Sequence, residues 1–193
     1  MNMTYGNPEK RQHIVDTAYR LFKRDGFHAT GIDRIIAEAE VAKMTMYRHF
    51  PSKDGLIVEV LDWRARRFDR QLDELAGQDA TPGDKIITIF DWYGRWVRRP
   101  DFHGCLFAHA LAEFGDPRHP IFQAVAAQKN GLRLRMRQLL QEVMPTEQAE
   151  SLASALLMLI EGATLLARMG QASAIGDARK AALSLLAEAA ASS

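Results

Sequence analysis

Apolar residues recur at three- and four-residue intervals along almost the whole of this chain, and no stretch alternates them as a strand does. That spacing lines one side of a helix, so the 193 residues read as all-α. Ile14, Ala18, Leu21 and Phe22 predict a first helix from Glu9 to Asp25, stopped by Gly26. Thr30 is expected to cap a second, with Asp33 in the capping-box position and Ile32, Ile35 and Ile36 as its inner face, ending near Ala39. A third short helix runs from Lys43 to His49. Ser52, after Pro51, caps a long fourth helix that carries Leu56, Val60, Leu61, Phe68, Leu72 and Leu75.

Gly77 to Gly83 reads as a loop between subregions, and Thr81-Pro82-Gly83-Asp84 as a strong helix start. The fifth helix then reaches Val97 and the sixth spans Cys105 to near Gly115. Pro117 and Pro120 break the chain before a seventh that reaches Val143, because proline lacks the helical donor. An eighth follows from Pro145-Thr146 to near Gly170, and a ninth occupies Ser173 to Ala190. Residues 1–52 are expected to form a helix-turn-helix domain, and 53–193 a larger bundle.

The net charge of +1 means that any affinity for nucleic acid must come from a local patch. The single cysteine, Cys105, excludes an internal disulfide framework and a multi-cysteine zinc site, which fits a reducing compartment. Met1 to Lys10 lacks the apolar core of a secretory signal, and the run Ala153–Ile160, closed by Glu161, is short for a bilayer. A soluble, cytoplasmic protein with no membrane partner is expected. No P-loop, dinucleotide-binding glycine pattern, nucleophile elbow or His-Glu-x-x-His run is present, so an enzyme is not expected, nor a cofactor.

A helix pair joined by the tight Ala39–Ala42 turn can place its second helix in the major groove. Met46 and Phe50, four residues apart, are the expected anchors of that helix. From Lys43 to Lys53 there are three cationic side chains and no acid. Lys43, Met44 and Thr45, at the helix start, are expected to meet base edges. Tyr47, Arg48, His49 and Lys53 are expected to bind phosphates, with Thr30, Arg34 and the Lys10-Arg11 pair adding further phosphate contacts. A purely structural helical module would not need this basic run.

The same segment resembles the N-terminal domain of the tetracycline-repressor (TetR) family. The likeness is carried by Gly26-Phe27, Thr30, Ile32, Ile35, Val41, Lys43, Thr45, Tyr47-Arg48-His49-Phe50, Ser52-Lys53 and Leu56, without interruption. Two positions depart from the pattern: Glu40 stands where the family has glycine in the turn, and Gly31 where it has a small hydroxyl residue. A looser likeness around Gly104-Cys105-Leu106-Phe107 and Glu113-Phe114 points to one subgroup. The resemblance implies a homodimeric regulator on double-stranded DNA, with a ligand cavity among the fourth to eighth helices. It implies a repressor freed from a palindromic operator when an unidentified small molecule binds the bundle. The fourth helix, running from reader to bundle, is the expected transmission.

The eighth helix is apolar almost all round, so it is expected to be covered on two sides. Together with the ninth helix it suggests a four-helix dimer interface through Leu152, Leu156, Leu159, Ala182 and Leu186; the alternative is the central helix of a monomer's core. Trp92, Cys105, His109, Glu113, Met136 and Glu161 are candidate ligand-pocket residues. Cys105, His109 and Glu113 are spaced to share one face of the sixth helix, with His103 and His119 flanking it. Three readings stay open for them: an ordinary core cysteine with local polar neighbours, markers of an organic-ligand pocket with a reactive thiol, or a Zn²⁺ or Ni²⁺ site. Glu161 is expected to pair with Arg133, Arg135 or Arg137.

Overall fold

The computed structural model describes residues 7–75 and 80–191. Among them nine helices follow in order: α1 (Pro8–Asp25), α2 (Ile32–Glu38), α3 (Lys43–His49), α4 (Lys53–Leu75), α5 (Pro82–Val97), α6 (Leu106–Glu113), α7 (Pro120–Leu140), α8 (Thr146–Arg168) and α9 (Ala174–Ala191). The all-α reading is borne out. Gly77–Asp79, in the expected loop, lie outside the described residues.

Local chemistry sets these boundaries. Pro8 opens α1, where a missing N–H costs nothing, and Asn7 Oδ1 accepts from Glu9 N at 2.9 Å. Gly26 closes it at φ +87, its N–H donating to the Phe22 carbonyl. Thr81 and Asp84 form the expected reciprocal capping box on α5. Thr30 does not cap α2. It is buried, and its hydroxyl donates to the Gly26 carbonyl at 2.7 Å, so Gly31 is the N-cap without a side-chain bond. α6 begins one residue later than expected, after Gly104 at φ +97, so Cys105 precedes the helix.

The chain groups into two compact units whose bounds differ from the expected division at residue 52. One ends at Arg66 and also takes in Leu106–Ala126; the other comprises Arg67–Cys105 and the chain from Ala127 onward. In the first, α1 packs on α2 and α2 on α3. Its core includes Ile14, Phe22, Phe27, Ile35, Met46, Leu56 and Leu61, each 2% exposed or less. Side chains of that size contribute about 1.5–3 kcal/mol each on burial.

In the second unit α9 packs against both α5 and α8. Its core draws Phe90 and Tyr93 from α5, Met136 from α7, Leu156 and Ile160 from α8, and Ala182 from α9. By length and composition alone, the 23-residue α8 is apolar enough to cross a membrane, further than the short apolar run suggested. Part of its apolar surface is used inside this unit. Leu152, Ala153, Leu156 and Ile160 are buried there, and Glu161 is ion-paired with Lys129 at 2.6 Å.

Candidate nucleic-acid interface

Two buried residues hold α3 in place: Met46 beneath it and Phe50 at its end. The Arg11 guanidinium lies 4.9 Å above the Phe50 ring and donates to Glu59 at 2.6 Å, tying α1 to α4 across the end of α3. Burying one side of a seven-residue helix sends the others outward. Met44 is 83% exposed and Tyr47 40%, beside exposed Lys43 and Arg48. No acid lies on α3. A short helix with two cations, a phenol and an exposed apolar tip can offer donors to phosphates and a surface to base edges.

The remaining sequence-predicted contacts differ in availability. Lys43 reaches Asp33 at 3.1 Å, and Arg34 reaches Asp25 at 3.0 Å and Glu38 at 3.5 Å. Exposed pairs of this kind are worth about 0–1 kcal/mol, so they give little resistance to a phosphate. Thr45 and Lys53 are half-buried. His49 is half-buried with Nε2 enclosed and unpartnered. Burial pushes its pKa down, and Arg48, Arg11 and Lys10 act in the same direction. Thr30, fully buried and bonded to Gly26, is not open to a phosphate. Arg11 is likewise occupied by Glu59 and Phe50.

The six candidate pocket residues do not form one site. Glu113 turns to the turn after α1, within its own compact unit: it accepts from the backbone N–H of Phe27 at 2.9 Å and of His28 at 2.5 Å. Cys105 Sγ is instead 3.4 Å from Lys129 Nζ, which also donates to Glu161. Burial would lower the Lys129 pKa, but attraction to Cys105 and Glu161 outweighs it and the net shift is upward. Lys129 thus takes the part expected of an arginine. Arg133 and Arg137 pair with Glu150, and Arg135 with Asp73. Met136 is wholly buried in the core, and His109 is half-buried on α6. Trp92 lines an open cleft of about 240 Å³ with Gln71, Arg95, Trp96 and Arg99. Among the described residues, no three His, Cys, Asp or Glu side chains stand together to hold a metal ion.

Of the suggested dimer residues, Leu152, Leu156 and Ala182 are buried within the chain, and Leu159 and Leu186 half-buried. Apolar residues left open lie elsewhere on these helices or just past the end of α8: Met158 at 68% exposed, Leu165 at 62%, Met169 at 69% and Leu183 at 43%.

Residues 14–60 match the family model described as bacterial regulatory proteins, tetR family. Residues 82–182, more than half of the chain, match the one described as the tetracyclin repressor-like C-terminal domain. The chain belongs to the TetR family. It is thus a DNA-binding regulator of transcription and not an enzyme. This TetR protein is similar over 96% of its length to the solved TetR-family transcriptional regulator SCO4454 from Streptomyces coelicolor, at 30% identity and a TM-score of 0.87, covering 98% of that chain. It is 24% identical to the uncharacterized HTH-type regulator YxaF of Bacillus subtilis over 82% of this chain and 84% of the relative. It is also 33% identical to the transcriptional repressor KstR of Mycobacterium tuberculosis, over 47% of this chain and 41% of that one. The TetR assignment accounts for the basic α3 and for the larger helical unit that follows.

Proposed function

We propose that this regulator is a homodimeric repressor that leaves a palindromic operator when a small molecule binds the C-terminal bundle. The observation that carries the reading is the outward face of α3, where Lys43, Met44, Tyr47 and Arg48 stand exposed without an acid on the helix. In this reading Met44, Lys43 and Thr45 read base edges, while Tyr47, Arg48, Lys53 and Arg34 grip phosphates. His49 contributes by closing the end of α3.

One such helix spans only a few base pairs, so two copies are needed. Met158 and Leu165 of α8 and Met169, the residue just after it, are spaced i, i+7 and i+11 with exposed Gly162 between them, and they favour a partner helix packed on that face. We assign the interface to this stripe and Leu183 of α9, with half-buried Leu159 and Leu186 at its edge. The similarity to KstR, named a repressor, supports repression over activation. A small molecule is supported by the cleft at Trp92 and Trp96, whose rings stack 5.5 Å apart beside Arg95 and Arg99. Its action on duplex DNA supports a cytoplasmic location.

Selection of bound duplexes from a random pool at physiological salt tests the reading. Enrichment of an inverted repeat is the expected outcome. An enriched consensus without two-fold symmetry would remove the dimeric operator, and no enrichment would remove the reading altogether.

A further inference from the structure

Glu113, the last residue of α6, is bound to backbone 85 or more residues earlier in the chain. Its Oε1 accepts from Phe27 N and its Oε2 from His28 N, and Oε2 also lies 2.7 Å from His28 Nδ1. These two amides fall between the end of α1 and the start of α2, where no helix supplies a carbonyl. The match extends to the residue before them. A Cβ added at Gly26 would stand 3.0 Å from Glu113 Oε1, and the φ of +87 there already favours glycine. Burial alone would raise the Glu113 pKa; the two amides and His28 reverse this and hold it below the usual carboxylate range.

The rest of the turn is fastened around this clamp. The His28 ring stacks on Phe114 with centroids 4.7 Å apart, Phe27 packs on Phe22 at 4.9 Å, and Thr30 returns to the Gly26 carbonyl. The turn leads directly into α2, and α2 packs on both α1 and α3. α6 itself is the first helix the chain forms on passing from one compact unit into the other at Cys105.

We propose that Glu113 is a positioning residue for DNA recognition: by clamping the Phe27 and His28 amides to the end of α6, it fixes the turn that orients α2 and α3. The inference rests on α3 being the DNA reader. A carboxylate with two amide donors and an imidazole is a charge-assisted arrangement, stronger than a neutral hydrogen bond. Its loss frees the turn without removing any group that touches DNA.

The test uses the full chain with Glu113→Ala, Glu113→Gln and His28→Ala, and two readouts. Amide hydrogen exchange in Glu113→Ala is expected to quicken at Phe27 and His28 and onward through α2 into α3. Affinity for the selected operator is expected to fall about tenfold, and less for an operator with one extra base pair between its half-sites, so that discrimination between the two narrows. His28→Ala keeps both amide bonds and is expected to stay within about threefold of the parent. Should Glu113→Ala fail to fold, Glu113→Gln, which retains one acceptor, is expected to show the same pattern more weakly. Faster exchange confined to Phe27 and His28 would overturn the proposal, as would equal losses on both operators. If the parent protein selects no duplex, the DNA-reader assignment fails by itself, and the exchange pattern still decides whether the clamp governs α2 and α3.

Discussion

Glu40 holds a backbone φ of +50, the one positive value at a non-glycine position among the described residues. It sits in the turn between α2 and α3, where an L side chain crowds the carbonyl and costs about 1–2 kcal/mol. Replacing it with glycine relieves that strain but adds about 0.5–1 kcal/mol of unfolded-state entropy. Glu40→Gly is therefore expected to stabilise the protein by a few tenths to about 1 kcal/mol, read as a raised denaturant midpoint.

His49 of α3 and Glu59 of α4 are expected to make stability around α3 depend on pH. His49 has a folded-state pKa lowered by burial and by the neighbouring cations, so folding favours its neutral ring. The stability it contributes is fully present above about pH 6.5 and is lost as pH falls through the lower folded value. Glu59 is held below the usual carboxylate range by its bond to Arg11, against the opposing effect of burial. Its contribution is present above about pH 4.3 and disappears on further acidification. In melting curves from pH 8 to pH 3, the difference between the parent and His49→Asn is expected to shrink across the upper range. The difference between the parent and Glu59→Gln is expected to shrink across the lower one. Differences that do not vary with pH would contradict both assignments.

At the scale of elements, α3 divides its work between faces. Met46→Ala removes a fully buried anchor and is expected to cost about 2–5 kcal/mol of stability. Arg48→Ala leaves the fold intact and is expected to weaken binding evenly across sequences, lowering the salt slope by about 1. Met44→Ala is expected to alter base preference more than salt dependence. Binding titrations over a salt series on cognate and mismatched duplexes separate the three.

Elements were also where the sequence was most legible. Periodicity located the nine helices of the described residues, and the Thr81-to-Asp84 box was visible because both partners lie within four residues. Thr30 misled because its hydroxyl serves equally well as a cap or as donor to the carbonyl left free where α1 ends. Glu113 misled for a different reason. Its helical spacing from Cys105 and His109 is real in number, but Cys105 precedes α6, and the carboxylate's partners are backbone amides that no side-chain pattern reveals. Lys129 was missed as the partner of Glu161 because three nearby arginines of the same helix offered the same charge.

For the whole molecule, an apolar circumference on α8 told that two sides are covered, not which side waits for a partner. Burial separates them: Leu152 and Leu156 face the chain's own core, while Met158, Leu165 and Met169 remain open. Leu165→Glu is expected to leave the fold in place and to convert the proposed dimer to a monomer in light scattering at micromolar concentration. A dimer that persists unchanged would move the interface elsewhere. The same variant is expected to bind one half-site as weakly as the parent does, and to lose the gain from the second.

Sequence-specific reading of duplex DNA by α3 is tested most directly by titrating the purified protein onto its selected operator and onto the same duplex with scrambled half-sites, at about 0.15 M salt. The expected result is a preference of about a thousandfold or more for the operator, sharply narrowed by combined Lys43→Ala and Met44→Ala. Equal affinity for both duplexes, vanishing together as salt rises, would contradict it.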